Sequence, residues 1–276
     1  MNNKVVFITG ASSGIGHATA ELLLKEDFIV YATARRLEKM KDLEALGATI
    51  LYVDVTNQES IDDCVNMIIA KEGRIDVVFA NAGYGCQGPL ECVEIDDAKN
   101  EFNVNVFGMV RTVKAVLPIM RHQKSGHVII TSSGVGYVSM PGMPWYPASK
   151  HSVEALADGL RMEVRKFGIK VVKIQPGYIK TEFANTAFKT LDKAAQSKNA
   201  DAYEKEIIAF KNHFSVAINE KGAPPATVAQ AVLKAIKSSE PKREYVPNIE
   251  AKLLKLTKRL FGYKVLDWVL TKMMFK

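Results

Sequence analysis

The chain has 276 residues, 47% hydrophobic and 24% charged, an ordinary globular composition that excludes a disordered or fibrous protein and suits one large α/β domain. Its 37 Lys and Arg exceed its 30 Asp and Glu by 7, yet residues 250–276 alone hold seven basic and two acidic side chains, leaving only +2 for the other 249 residues. That is a basic tail rather than the basic face of a nucleic-acid binder, so no nucleic-acid partner is expected.

Cys64, Cys86 and Cys92 are odd in number and lack metal-ligand spacing, which fits a reduced, cytoplasmic protein without a disulfide framework. With neither a carboxylate cluster nor a Cys/His set, no metal site is expected. The first apolar run, over 5–8, is too short for a secretory signal, and nowhere do 18 uncharged apolar residues run together as a membrane-spanning helix requires.

A buried strand is predicted over 5–8, where Val-Val-Phe-Ile meets a glycine turn, and a helix over 15–26 follows at helical apolar spacing. Next come a strand over 28–32, a helix over 37–46 and a strand over 49–53. The helix over 58–71 carries Ile61, Val65, Ile68 and Ile69 on its apolar side. Further strands fall at 75–80, 128–131 and 170–175. Short strands alternating with longer helices define an α/β chain built on a doubly wound parallel sheet covered on both faces. No repeat or linker divides it, so residues 1–249 read as one domain. Residues 185–222, rich in Lys, Asn, Ala and Glu, interrupt the alternation after the sixth strand. That location lies over the ligand crevice, and we read them as a helical substrate lid; a solvated helical excursion is the alternative.

Thr9-Gly10-Ala11-Ser12-Ser13-Gly14-Ile15-Gly16 lies between the first strand and the first helix. Glycines there permit positive φ, let a pyrophosphate approach the backbone and aim a helix N-terminus at negative charge. The spacing is G-x-x-x-G-x-G rather than the general G-x-G-x-x-G, and its weight comes from following a strand directly. About twenty residues on, where an acidic residue would bind the free 2′-hydroxyl of NAD, stands Ala34-Arg35-Arg36. Two guanidinium groups without a carboxylate suit a 2′-phosphate, so NADP(H) is expected in preference to NAD(H). In the alternative, both arginines simply solvate a helix start.

Tyr146-Pro147-Ala148-Ser149-Lys150 opens an amphipathic stretch through Ala155, Leu156, Leu160 and Val164. Pro147 is tolerated in a first helical turn, which puts Tyr146 and Lys150 one turn apart on a shared face. A phenol with pKa near 10 is a poor acid or base at neutral pH. A neighbouring ammonium favours phenolate and is expected to bring that pKa down.

These residues together resemble the classical short-chain dehydrogenase/reductases. The glycine turn, Asp54-Val55, Asn81-Ala82-Gly83, Tyr146 and Lys150 follow the family's order and spacing over about residues 4–182. Ser133 matches its catalytic serine, 13 positions before Tyr146; Asn105 matches its helix asparagine, and Pro176-Gly177 with Ile179 and Thr181 its nicotinamide-end segment. The resemblance implies a single-domain Rossmann-type fold and an oxidoreductase that interconverts a ketone or aldehyde and an alcohol. Tyr146 would exchange a proton with the substrate oxygen as hydride moves to or from the nicotinamide. Lys150 would tune Tyr146 and hold the nicotinamide ribose, Ser133 would stabilise the substrate oxygen, and Asn105 would hold a water linking Lys150 to solvent. Asp54 and Val55 would contact the adenine, and Asn81 would brace its loop near the adenosine ribose. Ser132 is set aside on spacing, since adjacent strand residues face opposite ways. One departure stands out: many NADP-using members carry a basic residue where this chain has Ser13, so the phosphate would rest on Arg35, Arg36 and the Ser12 and Ser13 hydroxyls.

Within the family the chain looks closest to the subgroup similar to 17β-hydroxysteroid dehydrogenases, retinol dehydrogenases and acyl-dihydroxyacetone-phosphate reductases. Val135, Tyr137, Val138, Met140, Met143 and Trp145 offer a soft apolar lining for a bulky hydrophobic carbonyl or alcohol, unless they pack as core instead. The tail over 250–276 is a basic amphipathic pattern broken by Gly262. It reads as a helical clasp on the domain, with reversible attachment to an anionic membrane surface as the second reading. Pairing of the helices near 103–121 and 147–166 into a homodimer or homotetramer is the family's habit; a docked tail would favour a monomer. The competing class of function is a non-catalytic NADP(H)-binding regulator on the same fold.

Overall fold

The computed structural model describes residues 4–274, so Phe275 and Lys276 of the tail lie outside it. Seven parallel strands form one sheet in the order β3-β2-β1-β4-β5-β6-β7. They are β1 (Val5–Thr9), β2 (Ile29–Ala34), β3 (Thr49–Tyr52), β4 (Val77–Ala80), β5 (Gly126–Thr131), β6 (Ile169–Ile174) and β7 (Glu244–Tyr245). The order reverses between β1 and β4, which opens a crevice at the carboxyl ends of the strands.

Strand alternation sorts the apolar residues onto two faces. Val5, Phe7, Tyr31 and Val78 pack with Ile61, Val65 and Ile68 of α3 (Gln58–Glu72), Val113 and Val116 of α5 (Met109–Gln123) and Val153 of α6 (Trp145–Val164). Val6, Ile8, Val30 and Phe79 pack with Ala20 and Leu23 of α1 (Gly14–Lys25) and with Val228, Val232 and Ile236 of α9 (Pro225–Lys237). Both faces are covered, which is why the strands are continuous apolar runs.

Several boundaries differ from the sequence reading. The helix expected over 37–46 is a 3₁₀ turn (Leu37–Met40) followed by a short α2 (Lys41–Ala45), because only Met40 and Leu43 are buried and Gly47 turns the chain at φ +102°. β4 starts at Val77 rather than residue 75: the Ile75 amide is held by the Gln123 side chain (3.0 Å), and Asp76 caps the Val5 amide (2.8 Å). α4 (Ile95–Phe102) runs into α5 through a π-helical turn (Asn103–Gly108), a widened geometry common beside functional sites. α9, signalled by Pro225 in its first turn and apolar residues at 228, 229, 232, 235 and 236, was missed, as was the two-residue β7.

Residues 185–222 fall in α7 (Phe183–Ala194), α8 (Glu204–Lys221) and the turn between them. With Val138, Met140 and Met143 these helices build a third apolar cluster, and Leu266, Leu270 and Met274 of the tail complete it. The tail is α10 (Ile249–Met274), broken where Gly262 adopts φ +67° and ψ −166°. Among the described residues no helix is long and apolar enough to cross a membrane, and no group of three His, Cys, Asp or Glu is placed to hold a metal.

Candidate active site

The turn after β1 is packed against the end of β4. Gly10 takes φ +70°, and a Cβ there would sit 2.8 Å from the Ala82 Cα; at Gly16 it would sit 2.4 Å from the Gly10 carbonyl oxygen. Neither position accepts a side chain without moving backbone. Asn81 ties the two loops together, donating from Nδ2 to the Thr9 and Gly10 carbonyls (3.2 and 3.3 Å) while Thr131 Oγ1 donates to its Oδ1 at 3.0 Å. Ser13 stands at the N-cap of α1 without a side-chain cap bond, so the helix's free amides face the crevice. This open cradle fits a pyrophosphate.

Arg36 reaches back over the turn, its Nη2 3.0 Å from Ser12 Oγ and 3.4 Å from Ser13 Oγ. The cation missing at position 13 is thus delivered from the end of β2. Arg35 is exposed and 4.0 Å from Asp54. Burial pushes the Asp54 carboxyl up, but hydrogen bonds from the Thr56 amide (2.9 Å) and hydroxyl (2.7 Å), with Arg35 nearby, hold it below its usual range.

At the other end of the crevice, Ser133 lies two residues beyond β5, and Tyr146 and Lys150 occupy the first turns of α6. Lys150 Nζ donates to the Thr131 carbonyl at 2.9 Å and lies 5.7 Å from the Tyr146 ring centre. Burial pushes the Lys150 ammonium down to about 8, opposed by Glu101 and Glu154. The structure departs from the expectation for Tyr146: its pKa is raised, because burial outweighs the favourable Ser133 hydrogen bond, and the Glu101 charge adds to the rise. At neutral pH the phenol is therefore an O–H donor. The Ser132 hydroxyl is buried without a partner, whereas Ser133 Oγ accepts the Val135 amide at 3.3 Å and is the one beside Tyr146.

Asn105 lies in the π-helical turn with its side chain fully engaged. Oδ1 accepts the Tyr84 amide (3.0 Å), and Nδ2 faces the Tyr84 carbonyl (2.8 Å), Glu101 (3.1 Å) and Ser149 (3.1 Å). It pins the loop after β4 rather than bonding Lys150. A Cβ on Gly83 would meet Asn105 Oδ1 at 2.9 Å and Lys150 Nζ at 3.6 Å, so all three converge at one point. The Pro176–Gly177 segment is held by its Pro176 carbonyl, which accepts the Gly134 amide (2.7 Å), and by Asn248, whose Oδ1 accepts the Gly177 amide (3.0 Å).

One cavity of about 770 Å³ joins these ends. Every residue predicted for the site lines it except Gly16 and Asn105, which support its wall from behind. The expected substrate lining divides: Val135, Met140 and Met143 face the cavity, whereas Tyr137 bonds the Ala251 carbonyl (2.6 Å) and Trp145 packs edge-on against Phe102 at 6.4 Å. Phe214 and Ile218 of α8 and Leu254 of α10 close the apolar end. His17 faces Asp42 at 2.9 Å and His151 a helix carbonyl at 2.8 Å, outside the cavity lining. Sequence reasoning missed Lys39 and Glu182 at the rim, Asn248 behind Gly177, the buried Glu101, and Phe183, whose ring lies 5.2 Å from that of Tyr146.

A Rossmann-type sheet carrying such a crevice defines a nucleotide-binding protein. Residues 4–192 match the short chain dehydrogenase family model, and the chain belongs to that family. It is 35% identical over 242 residues to a 3-ketodihydrosphingosine reductase of Bacteroides thetaiotaomicron, covering 87% of this chain and 86% of that one. It is 34% identical over 252 residues to retinol dehydrogenase 8 of Bos taurus, covering 86% and 79%. Among solved structures, a short chain dehydrogenase/reductase from Burkholderia phymatum in complex with NAD superposes with a TM-score of 0.79 at 26% identity, covering 94% of this chain and 95% of that one.

Proposed function

We propose that the chain is an NADP(H)-dependent enzyme interconverting a bulky hydrophobic ketone or aldehyde and the corresponding alcohol. The observation that carries this reading is the single cavity with the glycine turn and Arg35–Arg36 at one end, Ser133, Tyr146 and Lys150 at the other, and an apolar wall beyond. When bound, the nicotinamide supplies or accepts the hydride. Tyr146, kept protonated by burial, donates its phenolic proton to a carbonyl oxygen, and Ser133 hydrogen-bonds the same oxygen and favours the charge developing on it. The Lys150 ammonium favours the phenolate left on Tyr146 and so eases that transfer.

The apolar end favours a lipid-like substrate: Val135, Met140, Met143, Phe214, Ile218 and Leu254 present soft, adaptable surface. The relatives named as a 3-ketodihydrosphingosine reductase and a retinol dehydrogenase point the same way. Residues 185–222 act as the lid, and α10 is its clasp, since Leu266, Leu270 and Met274 are buried against the lid helices. The outer face of α10 exposes Leu253, Leu256, Leu260, Phe261 and Trp268 among Lys252, Arg259, Lys264 and Lys272, which suits reversible contact with an anionic membrane surface. Exposed Phe107, Leu156 and Met162 are the apolar material for a homodimer or homotetramer through the π-helical turn and α6.

Tyr146→Phe tests the reading. It keeps the ring and removes the phenolic hydroxyl that carries the proton, so NADPH-dependent turnover of a hydrophobic ketone should fall at least ~100-fold while cofactor binding persists. Unchanged turnover would refute the mechanism, and a wild-type protein that binds cofactor but reduces no carbonyl would favour the non-catalytic regulator.

A further inference from the structure

Three segments meet through charge at the rim of the cofactor cavity. Glu182, the residue directly before α7, places Oε2 3.2 Å from Arg36 Nη1 and Oε1 2.6 Å from Lys39 Nζ. The same Arg36 guanidinium lies on the hydroxyls of Ser12 and Ser13. The Lys39 hydrogen bond holds the Glu182 carboxyl below its usual range, with the Arg36 charge adding to the effect. Glu182 thus runs from the segment after β6 to the turn after β2, across the mouth of the groove, and neighbouring Thr181 packs where a Gly14 Cβ would be.

We propose that Glu182 is an internal competitor of the cofactor's 2′-phosphate, setting cofactor specificity by holding Arg36 and Lys39 until a 2′-phosphate displaces it. This rests on the NADP(H) reading above. A carboxylate and a phosphate address a guanidinium through the same paired oxygens, so Arg36 cannot give its full fork to both. A phosphomonoester carries about −1.5 to −2 charge near neutral pH and outcompetes one carboxylate; a free ribose 2′-hydroxyl carries none and leaves the pair closed. Glu182 therefore weakens binding of a 2′-phosphorylated dinucleotide and is indifferent to one without that phosphate. The next residue, Phe183, packs its ring 5.2 Å from that of Tyr146, so displacing Glu182 frees the start of α7 where it covers the proposed proton donor.

Calorimetric titration of the wild-type chain and of Glu182→Gln with adenosine 2′,5′-bisphosphate and adenosine 5′-monophosphate tests this without turnover. Glu182 is half exposed and its pairs are surface pairs, so Glu182→Gln should bind the bisphosphate about three- to tenfold more tightly. The monophosphate affinity should change less than about twofold. No change, an equal gain for both ligands, or a loss for either overturns the inference. If the wild-type chain prefers the bisphosphate and the variant behaves identically, only the role of Glu182 falls. If neither protein distinguishes the two ligands, the NADP(H) reading falls as well. Discrimination that emerges only in the variant supports the role of Glu182 and contradicts an NADP(H) preference of the wild-type chain.

Discussion

Replacing Glu101 by Gln should stabilise the unliganded chain, and increasingly so as pH rises. The Glu101 carboxyl is fully buried; Oε1 accepts from Asn105 Nδ2 at 3.1 Å and Ser149 Oγ at 3.3 Å, and Oε2 has no partner. Burial pushes its pKa from 4.5 up to about 8, against the opposing pull of the Cys86 amide, Lys150 and Ser149. A carboxyl raised in the folded state contributes nothing adverse below its unfolded pKa of about 4.5, and its penalty grows until pH passes about 8. The penalty is on the order of 1 kcal/mol at pH 5.5 and on the order of 4 kcal/mol at pH 7.5. The Lys150 attraction is already contained in the shift to about 8, so the gain in favour of Glu101→Gln between the two pH values is on the order of 2–3 kcal/mol. Urea unfolding of wild type and Glu101→Gln at the two pH values measures it directly. A stability difference that does not grow in favour of Glu101→Gln between pH 5.5 and pH 7.5 would refute the buried-carboxyl argument.

Three further outcomes follow from the geometry. Gly10→Ala forces a Cβ to 2.8 Å from the Ala82 backbone at positive φ, so dinucleotide affinity should drop at least ~10-fold in a fluorescence titration. Leu270→Ala empties a buried position between α10 and the lid helices and should lower stability by about 2–4 kcal/mol in chemical denaturation; a change under ~0.5 kcal/mol would mean that the clasp does not pack as described. Phosphatidylserine vesicles should sediment the wild-type chain at low salt and release it at high salt, with Phe261→Ser/Trp268→Ser reducing binding several-fold; equal binding to neutral vesicles would remove the electrostatic part of the membrane reading.

The parallel sheet, the glycine turn and the Tyr146–Lys150 pair were legible in the sequence because each depends on local spacing: strand runs buried on both faces, a turn directly after a strand, one helical turn between two side chains. Lys39, Glu182 and Asn248 were not, because a lone charge or amide between regular elements acquires meaning only when another segment folds onto it; Arg36 and Glu182 are 146 positions apart. Glu101 sits in Glu94-Ile95-Asp96-Asp97-Ala98-Lys99-Asn100-Glu101, which reads as a solvated helix, and only the packing of α4 against α6 buries it. The direction of the Tyr146 shift was also hidden, since it depends on how deeply the folded chain buries the phenol. The divided fate of the stretch from Val135 to Trp145 has the same origin: composition marks it as apolar, but the positions of α8 and α10 decide which side chains face the cavity.

The most direct test of the account follows reduced-nicotinamide fluorescence while the purified chain is titrated separately with NADPH and NADH, and then repeats both titrations with Arg35→Ala/Arg36→Ala. The account predicts NADPH binding at least ~10-fold tighter than NADH in the wild-type chain, with the double variant losing that preference by weakening NADPH alone. Equal affinities for the two, or a preference that survives the double substitution, would contradict it.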